Sequence, residues 1–174
     1  MKPILTGFSQ LAYTTNDIDR AMEIYATRYG VPSFHRLDTK LDVLVGNTEG
    51  SIELKIALAN VEGVNIELMQ AIRDLGGFFT SSISGKTGFA IALHHVAQRI
   101  EGNIANWDAH AADLENANRD ITLKATAGDH ARIVFTDDRD MIGAYIEHIW
   151  MTPEARQELD RLVPFHGAVD RLTC

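Results

Sequence analysis

The sequence predicts an α+β fold made of two paired β-α-β-β-β modules, which form a curved open sheet and are followed by a C-terminal helix. Three observations carry this reading. A short strand followed by an amphipathic helix occurs twice; extended segments follow each helix; and the strand that closes each half carries the same pattern, Gly63-Val64-Asn65-Ile66-Glu67 and Gly143-Ala144-Tyr145-Ile146-Glu147.

Taken in order, Phe8 to Thr15 is rich in apolar and hydroxyl residues and reads as a strand. Asn16 is a plausible N-cap, and Asp17 and Asp19 put negative charge in the first turn of the helix that follows. Ile18, Ala21, Met22, Tyr25 and Tyr29 recur at helical spacing and form one apolar stripe. Gly30 and Pro32 stop the helix. Ser33 to Val45 reads as one bent strand or two short ones. A turn at Gly46 to Gly50 leads into Ser51–Ala59, where Ile52, Leu54, Ile56 and Leu58 alternate with Glu53, Lys55 and Ala57. After Glu62-Gly63 the alternation resumes through Leu68. Residues 71–88, with Gly76-Gly77, Gly85 and Gly88, read as an ordinary connector in which Phe78 and Phe79 would mark a docked turn.

The pattern then restarts. Phe89 to Ile100 is a strand, and Ile104, Trp107, Ala111 and Leu114 mark a second helix. Ile121–Ala125, Arg132–Thr136 and Ile142–Met151 supply three more extended segments. Thr152-Pro153-Glu154 is an N-cap with proline at the first helical position, opening a helix that runs to about Val163. The boundaries that follow are 7–70 for the first module, 71–88 for the linker, 89–151 for the second module and 152–174 for the C-terminal helix and tail. The whole reads as a single domain over 1–174. The Arg132, Asp137-Asp138 and Arg139 cluster reads as a solvated loop, and the remaining histidines show no metal-ligand spacing.

Composition bounds the function. The chain has 174 residues, of which 45% are hydrophobic and 23% charged, the proportions of a globular protein rather than a disordered one. Sixteen Lys and Arg against twenty-four Asp and Glu give a net charge of −8, with no basic patch, so nucleic acid is not an expected partner. No apolar run is long enough for a membrane span, and the first residues lack a signal-peptide core. Cys174, the one cysteine, excludes an intramolecular disulfide and a cysteine-based zinc site. The cytoplasm is the expected compartment.

The repeat selects the chemistry. Gln10 aligns with His95 at an offset of 85 residues, and Glu67 with Glu147 at an offset of 80, so one donor opens and one closes each module. Glu67 is opposite in parity to Ile66 and Leu68, and Glu147 to Ile146, so both turn from the apolar side of their strands. His95 shares a face with Leu93 and Ala97, which puts His94 on the reverse. A slip of one residue would make His94 the ligand instead. Each of these residues alone is ordinary strand surface. If the first and last strands of each module are neighbours, the two modules gather Gln10, Glu67, His95 and Glu147 on one concave wall. That is an N/O donor set for a divalent ion, with Zn, Co, Ni, Mn and Mg all compatible, and with positions left for a small-molecule substrate.

This ordered set resembles the vicinal oxygen chelate superfamily, which includes glyoxalase I, methylmalonyl-CoA epimerase, extradiol dioxygenases and bleomycin-resistance proteins. The residues that carry the resemblance are Gln10 before Asn16-Asp17-Ile18-Asp19, Ile66-Glu67-Leu68, Leu93-His94-His95-Val96 and Tyr145-Ile146-Glu147. It implies a glyoxalase-like fold, a divalent metal and a homodimer. Gln10 stands where an extradiol iron site would have its first histidine, which speaks against ring cleavage. The Gln/Glu/His/Glu set is similar to the glyoxalase I pattern, whereas Leu93-His94-His95-Val96-Ala97 is similar to the epimerase branch. Ser51-Ile52-Glu53-Leu54-Lys55 also resembles the strand on which epimerase-like proteins carry a base. The resemblance therefore implies an isomerase or epimerase in which Glu147 and Glu53 move a proton α to a carbonyl, with an acyl-CoA thioester among the candidate substrates. The alternatives are a glyoxalase I-type lyase and a non-catalytic small-molecule-binding protein.

Overall fold

The computed structural model describes residues 7–167. Nine strands and four helices follow one another as β1 (Phe8–Thr15), α1 (Ile18–Tyr29), β2 (His35–Val45), β3 (Thr48–Val61), β4 (Val64–Arg73), β5 (Ile91–Arg99), α2 (Ile104–Asn116), β6 (Ile121–Ala127), β7 (Ala131–Asp137), α3 (Arg139–Ile142), β8 (Tyr145–Met151), α4 (Pro153–Leu162) and β9 (Phe165–His166). Two β-α-β-β-β units are therefore present, the second interrupted by the short α3. Ser33 to Val45 resolves into one strand, and the turn that follows is only Gly46-Asn47.

The sheet order is β2-β6-β7-β8-β5-β1-β4-β3-β9. In each unit the first strand runs parallel to the last, β1 with β4 and β5 with β8, and the two units join through the antiparallel pair β1–β5. The sheet curls further than two open modules require. Asp42 to Val45 of β2 pair with Leu123 to Thr126 of β6, while β2 also pairs with β3 along its whole length, so the strands close into a barrel.

Strand alternation then divides the apolar residues into three packed groups. Inside the barrel are Leu41, Val43, Ile52, Leu54, Met69, Leu123, Ile133, Phe135 and Tyr145. Outside, Ile18, Ala21 and Tyr25 of α1 pack on Ala57, Ala59 and Leu68 of β3 and β4. Trp107 and Leu114 of α2 pack on Val134 and Trp150 of β7 and β8. Small residues under α1 let the helix approach the sheet closely.

Caps set the helix ends, with one change from expectation. The cap of α1 is Asp17, whose side chain accepts from Arg20 N at 3.0 Å. Asn16 ties β1 to the segment before β5 instead: its Nδ2 donates to Gly88 O at 2.7 Å and its Oδ1 accepts from Ala90 N at 3.0 Å. Gly30 closes α1 at φ 70°, a conformation open to glycine without a Cβ penalty. Thr152 caps α4 as its sequence implies, accepting from Ala155 N at 3.2 Å.

The connector between β4 and β5 is neither a solvent-facing lid nor an ordinary linker. Asp74 accepts from Phe79 N, Thr80 N and the Thr80 hydroxyl at 3.1, 2.8 and 2.8 Å, and a 3-10 turn follows at Ser81–Ile83. This turn drives Phe78 and Phe79 into the barrel, where both are buried against Phe135. The connector thus plugs one end of the barrel. The other cluster read as loop is also structured. Arg139 pairs with Asp137 at 2.5 Å and lies over the Tyr145 ring at 4.5 Å, while Arg119 of the α2–β6 connection pairs with Asp138. Cys174 lies outside the described residues.

Candidate metal centre and ligand cavity

The register explains how the four expected donors meet. In the first module Glu67 of β4 sits beside Ala12 of β1, two residues after Gln10. In the second, Glu147 of β8 sits beside Ala97 of β5, two residues after His95. Across the seam Gln10 pairs with Ala97 and Ala12 with His95, so the two modules repeat the same placement about the β1–β5 junction. Residues two apart share a face, and all four side chains consequently point into the barrel.

The contacts are direct. Gln10 Nε2 donates to Glu67 Oε2 at 2.5 Å. His95 Nε2 lies 3.5 Å from Glu67 Oε2 and 3.6 Å from Glu147 Oε2. His95, Glu67 and Glu147 are 1%, 8% and 7% exposed. They open onto a cavity of about 490 Å³ lined by Leu54, Ile56, Leu58, Met69, Phe79 and Phe135, with Arg156 and Leu159 of α4 and Val163 just after it at its other end. β9 anchors that cap through its parallel pairing with Asn60 and Val61 of β3.

Both His94 and His95 face inward, contrary to simple alternation. Ala12 pairs with His95 but Tyr13 pairs with Leu93, which leaves His94 as an extra residue in a β-bulge. His94 therefore does not turn to the outer face. It packs against Phe78, Phe79 and Tyr145, stacking on the Phe79 ring at 5.1 Å. Its Nε2 is 3.1 Å from Phe78 O and its Nδ1 is 3.0 Å from His95 Nδ1.

These two distances fix the protons. A carbonyl only accepts, so His94 Nε2 carries the hydrogen; a neutral His94 then offers Nδ1 as an acceptor, and His95 Nδ1–H donates to it. Burial pushes the His94 pKa down to about 3, which keeps that ring neutral. His95 Nε2 is thereby the nitrogen presented to the cavity, and its buried atom has no hydrogen-bond partner. Burial opposes charge on His95, yet the nearby carboxylates of Glu147 and Glu67 outweigh it and push its pKa up to about 9. Burial raises the pKa of Glu67, His95 holds it down, and Glu147 raises it again.

Glu53 is not brought to this site. It lies on the outer face of β3, where its Oε1 is 3.6 Å from Arg73 Nε, and its side chain is 39% exposed. The reason is the meaning of polarity on the two strands. On β4 the carboxylate-bearing face lines the cavity, whereas on β3 the inward face is the apolar one, Leu54, Ile56 and Leu58.

The donors fit a divalent ion in kind: one imidazole nitrogen, two carboxylates and an amide oxygen. The 3.5 and 3.6 Å separations around His95 Nε2 are close to the roughly 3.4 Å between neighbouring ligands of a tetrahedral ion with bonds of about 2.1 Å. As placed, Glu67 is engaged by Gln10, and among the described residues no three His, Cys, Asp or Glu side chains already stand in metal-binding geometry.

Two further cavity residues escaped the sequence reading. Asn65 Oδ1 and Arg99 Nε are buried and, among the described residues, without hydrogen-bond partners, and both residues line the same cavity as His95. The signal was available, because Asn65 has the parity of Glu67 and Arg99 that of His95.

No protein-family model matches this chain, and no curated protein does. Solved structures do. A variant of the Streptomyces coelicolor methylmalonyl-CoA epimerase in complex with 2-nitronate-propionyl-CoA superposes with a TM-score of 0.55 at 19% identity, covering 86% of this chain and 96% of that one. Methylmalonyl-CoA epimerase from Mycobacterium tuberculosis gives a TM-score of 0.55 at 18% identity, covering 90% and 95%. A hypothetical protein of Bacillus halodurans gives 0.55 at 13%, covering 84% and 94%. At these identities the likeness is one of architecture: this chain has a glyoxalase-like fold, the fold of the methylmalonyl-CoA epimerases.

Proposed function

We propose that this protein is a metal-dependent isomerase or epimerase that moves a proton α to a carbonyl of a small substrate held in the barrel. The observation that carries the reading is His95 Nε2, buried and, among the described residues, without a hydrogen-bond partner, between the carboxylates of Glu67 and Glu147 at the wall of the cavity. Gln10, Glu67, His95 and Glu147 would hold a divalent ion, which would supply Lewis acidity to adjacent oxygens of the substrate. Zn, Co, Ni, Mn and Mg are all compatible with this donor set.

The chain's own groups do the rest. His94 and the Phe78 carbonyl orient His95, so Nε2 faces the cavity. Glu147, on β8, takes the substrate proton, and Glu67, on β4 across His95, is the carboxylate placed to share the return. The apolar wall of Leu54, Ile56, Met69 and Phe135 excludes water and strengthens each charge interaction inside. Glu53, on the outer face, takes no part in this scheme.

The fold neighbours are methylmalonyl-CoA epimerases, one of them bound to 2-nitronate-propionyl-CoA, which supports an acyl-CoA thioester as the first substrate to try. One observation favours a second reading, a glyoxalase I-type lyase: all four residues of its Gln/Glu/His/Glu pattern reach the cavity while the extra epimerase-like carboxylate does not. The protein is taken to act as a cytoplasmic homodimer; no helix of the described residues is long and apolar enough to cross a membrane.

The test is isotopic. Purified protein loaded with Zn, Co or Ni in deuterium oxide should exchange the 2-hydrogen of methylmalonyl-CoA, and Glu147→Gln should abolish the exchange. Conversion of the glutathione adduct of methylglyoxal to a thioester, without the first reaction, would select the lyase. Turnover of neither, with tight ligand binding retained, would leave a binding protein.

A further inference from the structure

The cavity has a cation with nothing to pair with. Arg99 is the last residue of β5, four positions beyond His95 and on the same face. Four residues span roughly 13 Å of strand, so the guanidinium stands at the α4 end of the cavity and the carboxylates stand nearer the plug. Among the described residues, no carboxylate lies within ion-pair distance of Arg99, and its buried Nε has no hydrogen-bond partner. The neighbouring cation is different: Arg156 of α4 is held by Glu101 and, at 3.6 Å, by Asp160. Asn65 Oδ1 is a further unmet polar atom on the cavity wall.

Arg99 is only part-buried, but its Nε–H is shut off from water and meets no acceptor among the described residues, a missing hydrogen bond that a ligand anion restores on arrival. The guanidinium is a planar fork, and the group matching it edge to edge is a carboxylate. We infer that Arg99 is the anchor for a carboxylate on the ligand, so that the cavity takes a small acid with its oxygen-bearing reacting end at His95 and its anionic end at Arg99.

The inference concerns the same cavity as the proposed activity, but it stands on Arg99 alone and can be read in protein stripped of metal with a chelator. Isothermal titration with hexanoate and with its neutral isostere hexanamide isolates the anion. Hexanoate should bind at least tenfold more tightly, and the difference should vanish in Arg99→Gln and return in part in Arg99→Lys, while Glu53→Gln, on the outer face, keeps it. Equal binding of acid and amide, or a difference that survives Arg99→Gln, overturns the assignment. Tighter binding of butyl phosphate than of hexanoate overturns the choice of carboxylate. Failure of the protein to bind any divalent ion would remove the proposed activity and leave the acid–amide difference in place, so the two failures are distinguishable. Thermal unfolding of each variant confirms that the barrel is intact.

Discussion

Loading a divalent ion into this site must expel a proton. With its pKa pushed up to about 9 by Glu147 and Glu67, the His95 ring is an imidazolium across the neutral range, and Nε2 cannot ligate until that proton leaves. Below pH 9 the fraction of ring with a free lone pair changes tenfold per pH unit. Apparent affinity for Zn²⁺ should therefore be about 100-fold weaker at pH 6 than at pH 8, or about 2.7 kcal/mol. The metal-free fold should show the opposite dependence. A histidine whose folded pKa lies above its ordinary 6.5 contributes stability that is fully present below about pH 6.5 and lost as pH rises through about 9. A carboxyl whose pKa burial raises acts with the same sign. Thermal unfolding of chelator-treated protein should thus fall in Tm from pH 6.5 to 9, and saturating zinc should suppress the fall. Isothermal titration in buffers of different ionisation enthalpy counts the protons directly. About one released per ion at pH 7 is expected. A count near zero with affinity flat from pH 6 to 8 would refute the view that His95 is a proton-bearing ligand.

Three substitutions probe the surroundings. His94→Phe keeps the ring stack on Phe79 but removes the acceptor for His95 Nδ1; zinc affinity should drop about 10- to 100-fold, and ¹⁵N spectra should lose the His95 Nδ1–H to His94 Nδ1 hydrogen bond. Phe79→Ala, at a residue 2% exposed in the plug, should cost about 3–5 kcal/mol in denaturant unfolding, against under 0.5 if the connector were a mobile lid. Glu53→Gln should leave zinc affinity and stability within about 0.5 kcal/mol of the parent, because the carboxylate is an exposed partner of Arg73; a loss of isotope exchange in that variant would return it to the reaction.

Much of this architecture was legible because the repeat is written in the spacing. The offsets of 85 between Gln10 and His95 and 80 between Glu67 and Glu147 reappear as matching strand registers, so alternation alone sufficed to bring four donors inside. What escaped was whatever depends on a break in alternation or on a distant partner. The bulge at His94 turns two adjacent residues to one face, and no local pattern in Leu93-His94-His95-Val96 announces it. Glu53 illustrates the converse. Its alternation was read correctly, but which face of β3 becomes the lumen is settled by barrel closure through β2 and β6, a contact between residues 78 to 84 apart in sequence. The connector failed for a third reason: glycines marked its turns, while the burial of Phe78 and Phe79 follows from the space they fill between strands. Arg99 has an unremarkable sequence context, and what sets it apart is that no carboxylate among the described residues lies within ion-pair distance of it.

The central claim is that two modules aim four donors at a single cation. Crystals grown with zinc and measured on both sides of its absorption edge test it most directly. The account predicts one anomalous peak inside the barrel, within about 2.0–2.2 Å of His95 Nε2 and of an oxygen each from Glu67, Glu147 and Gln10. A peak elsewhere, or one that touches His95 while both carboxylates remain turned to other partners, would contradict it.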